Sequence, residues 1–264
     1  MLEPIRAALE WTDDQMVASA REFYKTGAHG HFAELASRLN RDPIIGTVYD
    51  QAVPDGVSNP YWEIIRHTPT HDDFLNGGLR PTGFWLGGDT PEMVRLGLWR
   101  EHLVYRYAWS IPSPGDIAWL KERLDGQGVL EIGAGTGYWA WQMRQYGIDV
   151  LAYDTRSPLG RNPQVGGGPY APVGHGGVPR AAQAGDRALF LCWPTYRHNW
   201  AHRALKLYEG DTVIYVGEGN GGCTADDGFH RELDENWTRE ALSPHHVSFF
   251  GIWCKLALWR RNAR

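Results

Sequence analysis

The sequence has little cysteine, no long apolar run and no strong excess of charge of one sign. Its three cysteines, Cys192, Cys223 and Cys254, are far apart and odd in number, so they predict neither a disulfide framework nor a zinc site and favour a reducing compartment. No stretch reaches the roughly 18 apolar residues of a membrane span, and the N-terminus lacks the basic and apolar regions of a signal peptide. We therefore expect a cytoplasmic protein without a membrane contact.

The charge balance and the composition limit the partners. The formal net charge of −5 argues against a large nucleic-acid-binding surface. The 264 residues, 42% of them hydrophobic and 22% charged, suffice for one large globular domain or for a core with an appendage. Together with thirteen tryptophans, this composition favours a small molecule or a peptide as the partner. The oligomeric state stays open between a monomer and a homodimer.

The most informative stretch of the chain is VLEIGAGTGYW, residues 129–139. An apolar run is followed by Gly133, Gly135 and Gly137 at every second position, and a helical pattern then begins. This pattern predicts a strand that turns sharply into a helix, where glycines let a ligand approach the backbone and the helix offers free N–H groups. A dinucleotide-binding fold has a third glycine where this chain has Tyr138, which disfavours a nicotinamide oxidoreductase.

With Glu131 two residues before Gly133, the stretch resembles the first motif of class I S-adenosylmethionine (SAM)-dependent methyltransferases. A second feature of that family follows, because residues 149–154 read as a short apolar strand that ends in Asp154, 17 residues after Gly137. In the family, the glycine loop passes beside the methionine part of SAM, and the acid after the second strand holds the ribose hydroxyls. The resemblance therefore implies SAM as the cofactor and Asp154 as its ribose ligand.

The resemblance also implies a set of cofactor-binding residues around the two motifs, after a later strand and in the segment before the core. They are Glu131, Gly133, Ala134, Gly135, Gly137, Tyr138, Trp139, Asp154, Thr155, Cys192, Trp193 and Tyr107. No metal is expected, because His198 and His202 lie one helical turn apart but no matching ligands follow.

From residue 129 onwards, strand patterns alternate with helical patterns, which indicates an α/β fold with a mostly parallel sheet. The resemblance implies a doubly wound seven-stranded sheet, with an antiparallel pair predicted at residues 247–252 and 255–259. Residues 1–112 are predicted to form a helical cap that shapes the substrate pocket, and residues 113–264 the Rossmann-like SAM-binding core.

Other segments carry local predictions. Thr12 to Gln15 read as a capping box that starts a helix, and further helices are expected near residues 32–39 and after Pro91. Residues 43–90 are predicted to be irregular. In residues 157–179, twelve of 23 positions are Gly or Pro, which excludes a helix or a central strand. This segment is either a lid over the site or a lengthened surface loop, with a compressed third strand near residues 170–173.

Methyl transfer from a sulfonium requires a bound electrophile, an aligned nucleophile and the exclusion of water, and some nucleophiles also need a base. In a doubly wound fold, such groups lie beyond the carboxyl ends of the strands. The catalytic candidates are Glu218, Tyr196, Asp227 and His230. Each also has a structural interpretation: Tyr196, for example, as a pocket wall and Asp227 as a favourable charge in a first helical turn.

The sequence therefore predicts a SAM-dependent methyltransferase that moves a methyl group to an O or N nucleophile of a small molecule or peptide. Residues 193–196 partly resemble the D/N-P-P-Y/F/W turn of amino-group methyltransferases, which leaves a nucleic-acid amine methyltransferase as an alternative, although Trp193 replaces the acid or amide. A SAM-binding regulatory or partner protein without activity is another alternative, because no residue is established as a general base.

Overall fold

The computed structural model describes residues 11–23, 51–66, 98, 100–155, 169–249 and 252–263. The helix predicted at residues 32–39, the start of the helix after Pro91 and residues 157–168 of the Gly- and Pro-rich segment lie outside the described residues, as does much of the segment predicted to be irregular.

Within the described residues, seven strands form one sheet. They are β1 (Val129–Ile132), β2 (Val150–Asp154), β3 (Gly174–His175), β4 (Ala188–Cys192), β5 (Thr212–Gly217), β6 (Trp237–Leu242) and β7 (Lys255–Arg261). The strand order is β3-β2-β1-β4-β5-β7-β6. Strands β1 to β5 are parallel, and β7 is antiparallel to its neighbours β5 and β6. The predicted doubly wound, mostly parallel seven-stranded sheet is confirmed.

Seven α-helices occur within the described residues, and some of them begin at a residue whose side chain caps the helix. They are α1 (Asp13–Phe23), α2 (Pro60–Ile65), α3 (Arg100–Arg106), α4 (Pro114–Leu124), α5 (Tyr138–Gln145), α6 (Trp200–Leu207) and α7 (Asp227–Asn236), with a 3-10 helix at Val178–Gln183. Thr12 and Gln15 form the predicted capping box, in which the backbone N–H of each donates to the side chain of the other (2.8 and 3.2 Å). Ser113 caps α4 by accepting a hydrogen bond from the Asp116 N–H (3.1 Å).

The two faces of the sheet are covered by different helices, because alternate residues of a strand point to opposite faces. Val129 and Ile214 pack on one face with residues of α4 and α5. Leu130 and Val213 pack on the other face with residues of α6, α7 and the 3-10 helix. Strands β1 and β5 are buried along their whole length, which explains their mostly apolar sequences. Their carboxyl ends therefore form a rigid platform for a site.

The N-terminal elements α1, α2 and α3 contribute to a separate apolar cluster that also contains Tyr138 of α5. Asp13, the first residue of α1, ties these elements together. Its Oδ1 accepts hydrogen bonds from the Arg106 guanidinium (2.8 and 3.1 Å), from the Tyr107 hydroxyl (3.1 Å) and from the Tyr170 hydroxyl (3.3 Å). The described N-terminal helices thus pack onto the sheet domain, and the division of the chain at residue 112 stays a prediction.

Helix α2 contradicts the prediction of an irregular chain over residues 43–90. It forms because Asn59 caps it, with the Trp62 N–H donating to Asn59 Oδ1 (3.0 Å), and because Pro60 has the backbone angle that a first helical residue needs. The helix spans six residues, which is too short for a sequence periodicity to be visible.

The prediction of a strand at residues 247–252 is wrong for the described part of that segment, and β6 is the strand that pairs with β7. Val247 and Phe249 are buried in the apolar cluster of the N-terminal elements, not in the sheet. The helical spacing of Phe229, Leu233 and Trp237 predicts one helix that buries all three. Trp237 instead begins β6, with its ring in the same cluster as Phe229. Trp237 therefore has the helical spacing of the buried α7 residues and shares their core, although it belongs to a strand.

The third strand lies at residues 174–175, just after the predicted position, and pairs with the end of β2. The 3-10 helix follows it directly, so residues 174–183 are ordered against the sheet even though Gly and Pro are frequent. No helix of the described segments is both long and apolar enough to cross a membrane.

Candidate functional site

The loop between β1 and α5 turns through three glycines with positive φ: 80° at Gly133, 54° at Gly135 and 73° at Gly137. Glycine adopts these backbone angles without the strain that a side chain causes. The N–H of Gly133 donates to the Tyr153 carbonyl (2.9 Å), which holds the loop against β2. A Cβ atom at Gly133 would lie 2.9 Å from Cη2 of Trp200. The predicted sharp turn with bare backbone is therefore present, and the packing of the protein itself requires it.

A pocket with about 350 Å³ of empty space, part of it open to solvent, lies beside this loop. The predicted cofactor residues that line it around β1, α5 and β4 are Glu131, Gly133, Ala134, Gly135, Trp139 and Cys192. Tyr107, Ala108 and Trp109, which follow α3, also line it. The structure thus places most of the predicted cofactor residues around one cavity at the carboxyl ends of β1 and β4, where doubly wound sheets bind ligands.

Glu131 has an unusual environment. The residue is only 2% exposed, and its Oε2 has no hydrogen-bond partner among the described residues. Burial raises the pKa of Glu131 to about 8; the charge of Arg144 and a backbone hydrogen bond from Ala140 oppose this shift, and the charge of Asp154 adds to it. A buried carboxylate oxygen without a partner is stabilised by a cation or a hydrogen-bond donor next to it. The pocket therefore suits a ligand that carries a positive charge.

Asp154, at the end of β2, lies at the outer side of the glycine loop and is 7% exposed. Its Oδ2 accepts a hydrogen bond from the Gly135 N–H (3.0 Å). His175 of β3 is its partner in register, and Thr155, the next residue along, is exposed. Neither Asp154 nor Thr155 is among the described residues that line the pocket. Their contacts with a cofactor stay predictions.

Tyr138 and Gly137 face other parts of the protein. The Tyr138 hydroxyl donates to Asn59 Oδ1 (2.9 Å) and accepts from the Tyr61 N–H (3.0 Å), so its side chain anchors α5 to α2. A Cβ atom at Gly137 would lie 2.8 Å from Cγ2 of Val173. The structure does not bring either residue to the pocket wall. The motif predicted only that Gly137 and Tyr138 lie at the start of α5. It did not show that both residues face away from the pocket.

Hydrogen bonds fix the opposite wall of the pocket. The Thr136 hydroxyl donates to the Tyr107 carbonyl, and the Trp139 indole N–H donates to Ser110 Oγ (3.0 Å). The Cys192 Sγ lies 3.0 Å from the same Oγ. Burial raises the pKa of Cys192 well above its usual range, which disfavours the thiolate form that a nucleophile requires. Sequence reasoning missed Thr136 and Ser110, although Thr136 lies inside the glycine motif, which was a usable signal.

Trp193, the first residue after β4, stacks on Trp109 of the pocket wall with ring centroids 6.2 Å apart and an interplanar angle of 18°. Its φ is 49°, a value that bulky residues rarely adopt. The guanidinium carbon of Arg100 lies 5.9 Å from the centroid of each of these rings. The predicted cofactor residue Trp193 therefore lies beside the pocket, and no sequence motif pointed to Arg100.

The catalytic candidate Glu218 lies just beyond the end of β5 and is 6% exposed. Its two carboxylate oxygens accept hydrogen bonds from the N–H groups of Cys223 (2.7 Å) and Trp253 (2.8 Å). Burial acts to raise the pKa of Glu218, but the bonds from Cys223 and Trp253 and the charge of Arg100 leave it below its usual value. Glu218 thus connects two loops, and its lowered pKa makes it a weak base.

The other catalytic candidates are spread around the sheet. Tyr196 is 47% exposed, with the Arg197 guanidinium 4.9 Å from its ring centroid. Asp227 is the exposed first residue of α7. His230 is buried, and its Nε2 lies 3.1 Å from the Thr224 carbonyl oxygen. Among the described residues that line the pocket beside the glycine loop, none belongs to this set, and their catalytic roles stay predictions.

A second pocket, with about 870 Å³ of empty space that is partly open to solvent, lies between α7 and strands β6 and β7. His230 lines it, as do Trp253, which is 68% exposed, and Trp259. In the part of the chain that the structure describes, no group of three or more His, Cys, Asp or Glu side chains is placed to hold a metal ion.

Solved structures of other proteins show similarity to this chain at low sequence identity. One is magnesium protoporphyrin IX methyltransferase from Synechocystis PCC 6803 with bound SAM, which is 13% identical, with 67% of this chain and 88% of that chain covered and a TM-score of 0.39. Another is 1,6-didemethyltoxoflavin-N1-methyltransferase from Burkholderia thailandensis with bound 1,6-didemethyltoxoflavin and S-adenosylhomocysteine (SAH), at 16% identity, 57% and 77% coverage and a TM-score of 0.36. No family model and no curated protein matches the sequence.

Proposed function

We propose that this chain is a SAM-dependent methyltransferase that moves a methyl group to an O or N nucleophile of a small molecule or peptide. The observation that carries the proposal is the buried Glu131 carboxyl group, whose Oε2 lacks a partner among the described residues, beside a loop of three glycines with positive φ. SAM supplies an electrophilic methyl group on a sulfonium, and it also carries an α-amino group and ribose hydroxyls for recognition.

Glu131 fits the cationic amino group of such a ligand. Because its pKa is about 8, a large share of the carboxyl groups is protonated near neutral pH when no cation is adjacent. An ammonium group next to Oε2 supplies both the positive charge and the hydrogen bond that this oxygen lacks. Ligand binding and the ionisation of Glu131 then favour each other.

Asp154 and the pocket walls fit the remainder of the cofactor. A carboxylate at the carboxyl end of the second strand accepts hydrogen bonds from ribose hydroxyls in doubly wound folds. The rings of Tyr107 and Trp139 are almost fully buried, so they keep water from the pocket wall and strengthen the electrostatic interactions inside. The chain's own contribution is therefore binding, alignment and the exclusion of water.

No carboxylate other than Glu131 occurs among the described residues of the pocket wall, and we assign Glu131 to the cofactor. An amine that enters in its neutral form needs no base before it attacks. The turn at residues 193–196 supplies no acidic or amide side chain at its first position, so the site adds no support to a nucleic-acid amine methyltransferase.

A SAM-binding regulatory or partner protein without activity is a second candidate. One observation favours it: of the four residues predicted as catalytic, none lines the pocket among the described residues. SAH release in the presence of a panel of small amines, alcohols and peptides separates the two functions. Product formation supports the transferase, whereas tight SAM binding without any turnover supports the regulator.

Isothermal titration calorimetry with SAM and SAH tests the proposed cofactor. Both should bind, and the SAH affinity should rise about twentyfold from about pH 6 to about pH 7.5, since a larger share of Glu131 is then ionised. Glu131→Gln should remove this pH dependence, while the exposed control Glu122→Gln should keep it. If neither ligand binds at millimolar concentration, the proposed function is wrong; binding with the same pH dependence in Glu131→Gln would refute only the role of Glu131.

A further inference from the structure

Arg100, at the start of α3, lies among three aromatic rings beside the pocket. Its guanidinium carbon is 5.9 Å from the ring centroids of Trp109 and Trp193 and 5.2 Å from that of Phe249. Its Nε is buried and has no hydrogen-bond partner among the described residues. A guanidinium keeps its charge at any ordinary pH and presents its N–H donors in a planar fork. The rings hold this cation in place while at least one of its donors stays unused.

Two carboxylates near Arg100 neutralise it only in part. Glu101 Oε1 lies 4.0 Å from Arg100 Nη1, and the Glu101 side chain is 52% exposed, so water screens this pair. The charge of Arg100 helps to lower the pKa of Glu218, but both oxygens of Glu218 already accept backbone N–H groups. A positive charge therefore remains beside the pocket.

A second polar group at this place also lacks a partner. The hydroxyl of Tyr61 is fully buried and has no hydrogen-bond partner among the described residues. Burial raises the pKa of Tyr61, and the nearby charge of Arg100 opposes this increase. Unpartnered buried polar groups are rare in folded proteins, and each one needs an explanation. The ring of Tyr61 stacks on that of the pocket residue Tyr107 (centroids 4.9 Å apart), which places Tyr61 next to the pocket wall.

Trp109 and Trp193 give the same place flat apolar surfaces. Trp109 lines the pocket beside the glycine loop, and Trp193 stacks on it. Trp193 has a φ of 49°, and its N–H donates to the Val216 carbonyl (2.7 Å), which helps to hold this unfavourable backbone angle. Strained backbone at a non-glycine residue is typical of ligand sites, where the surrounding structure fixes a side chain in position.

We propose that Arg100, Trp109 and Trp193 bind the methyl acceptor and that this acceptor is a planar aromatic carboxylate. The carboxylate accepts hydrogen bonds from the guanidinium, and the aromatic ring stacks on the tryptophans. Because Trp109 belongs to the wall of the candidate cofactor pocket, the acceptor lies next to the cofactor. This inference rests on the proposed methyltransferase function, since it names the acceptor class for that reaction.

Calorimetric titrations with naphthoate and naphthamide, with and without SAH, test the proposal, because the two probes share a ring system and differ in charge. Naphthoate should bind at least about tenfold more tightly than naphthamide, as expected for a charge-assisted hydrogen bond. Arg100→Gln should reduce the naphthoate affinity to that of the amide. Arg239→Gln is the matched control, because the Arg239 guanidinium carbon also lies 5.9 Å from a tryptophan ring centroid, that of Trp259 in the second pocket.

Equal affinities of the acid and the amide for the unmodified protein would overturn the proposal, as would an acid preference that survives in Arg100→Gln. A preference that is lost in Arg239→Gln and kept in Arg100→Gln would place the binding at the second pocket and would also overturn the proposal.

If Arg100→Gln does not fold, a salt titration of the unmodified protein replaces the variant. Added NaCl should weaken naphthoate binding but not naphthamide binding, and salt-insensitive acid binding would refute the proposal. SAH binding in the same titrations tests the cofactor separately, so SAH binding without an acid preference refutes the acceptor class alone.

Discussion

Glu131→Gln should stabilise the ligand-free protein, and the stabilisation should grow as the pH rises. Glu131 lies fully buried beneath the glycine loop with an oxygen that has no partner among the described residues. Ionisation of a buried carboxyl group with an unpartnered oxygen is unfavourable, whereas in the unfolded chain Glu131 ionises as an ordinary glutamate does. Glutamine has nearly the same shape and never ionises, so it removes this cost.

The size of the effect follows from the two pKa values. The pKa of Glu131 rises from 4.5 to about 8 in the folded protein. Because the folded state holds its proton more tightly, this group disfavours folding increasingly between about pH 4.5 and about pH 8, and the effect is constant above that range. The shift corresponds to about 5 kcal/mol at high pH and to about 3 kcal/mol at pH 7, where most of the folded carboxyl groups are still protonated.

Urea denaturation of both proteins between about pH 5 and about pH 8 measures the effect. The free energy of unfolding of the unmodified protein should fall by about 3–4 kcal/mol relative to that of Glu131→Gln over this range. The difference between the two curves cancels the titration of all other groups. The control Glu122→Gln, on the exposed side of α4, should follow the unmodified protein. Parallel curves for the unmodified protein and Glu131→Gln would refute the reasoning, since Glu131 would then ionise normally.

Two further predictions concern the loop and its neighbouring strand. Asp154→Ala should weaken SAM binding by ~1.5–3 kcal/mol in calorimetry, the usual loss for hydrogen bonds to a charged group; an unchanged affinity would remove Asp154 from the site. Gly133→Ala should lower the free energy of unfolding by about 1–3 kcal/mol more than Gly126→Ala does, because both glycines have positive φ but only a methyl group at 133 meets Trp200. Equal losses in urea denaturation would show that the Trp200 ring moves aside without cost.

The sheet was predictable because its central strands are mostly apolar segments that alternate with helical patterns, and these patterns are local. The wrong predictions arose where one sequence pattern is compatible with two different structures. Trp237 continues the spacing of the buried residues in α7, and only its packing beside Tyr208 and its pairing with Arg261 show that it begins a strand. Val247 and Phe249 alternate like strand residues, yet they are buried against the N-terminal elements.

The candidate site likewise combines features that the sequence predicts with features that depend on tertiary packing. The sequence by itself determined the glycine loop, because the three glycines, Glu131 and the helix start lie within one short segment whose backbone angles permit little else. Only the tertiary structure decided that Glu131 Oε2 lacks a partner among the described residues, that the Tyr138 side chain faces α2, and that Glu218 holds the backbone of Trp253. It also brought Arg100 to Trp193, which is far away in the chain. Contacts between distant residues depend on how whole elements pack, and spacing along the chain carries no information about them.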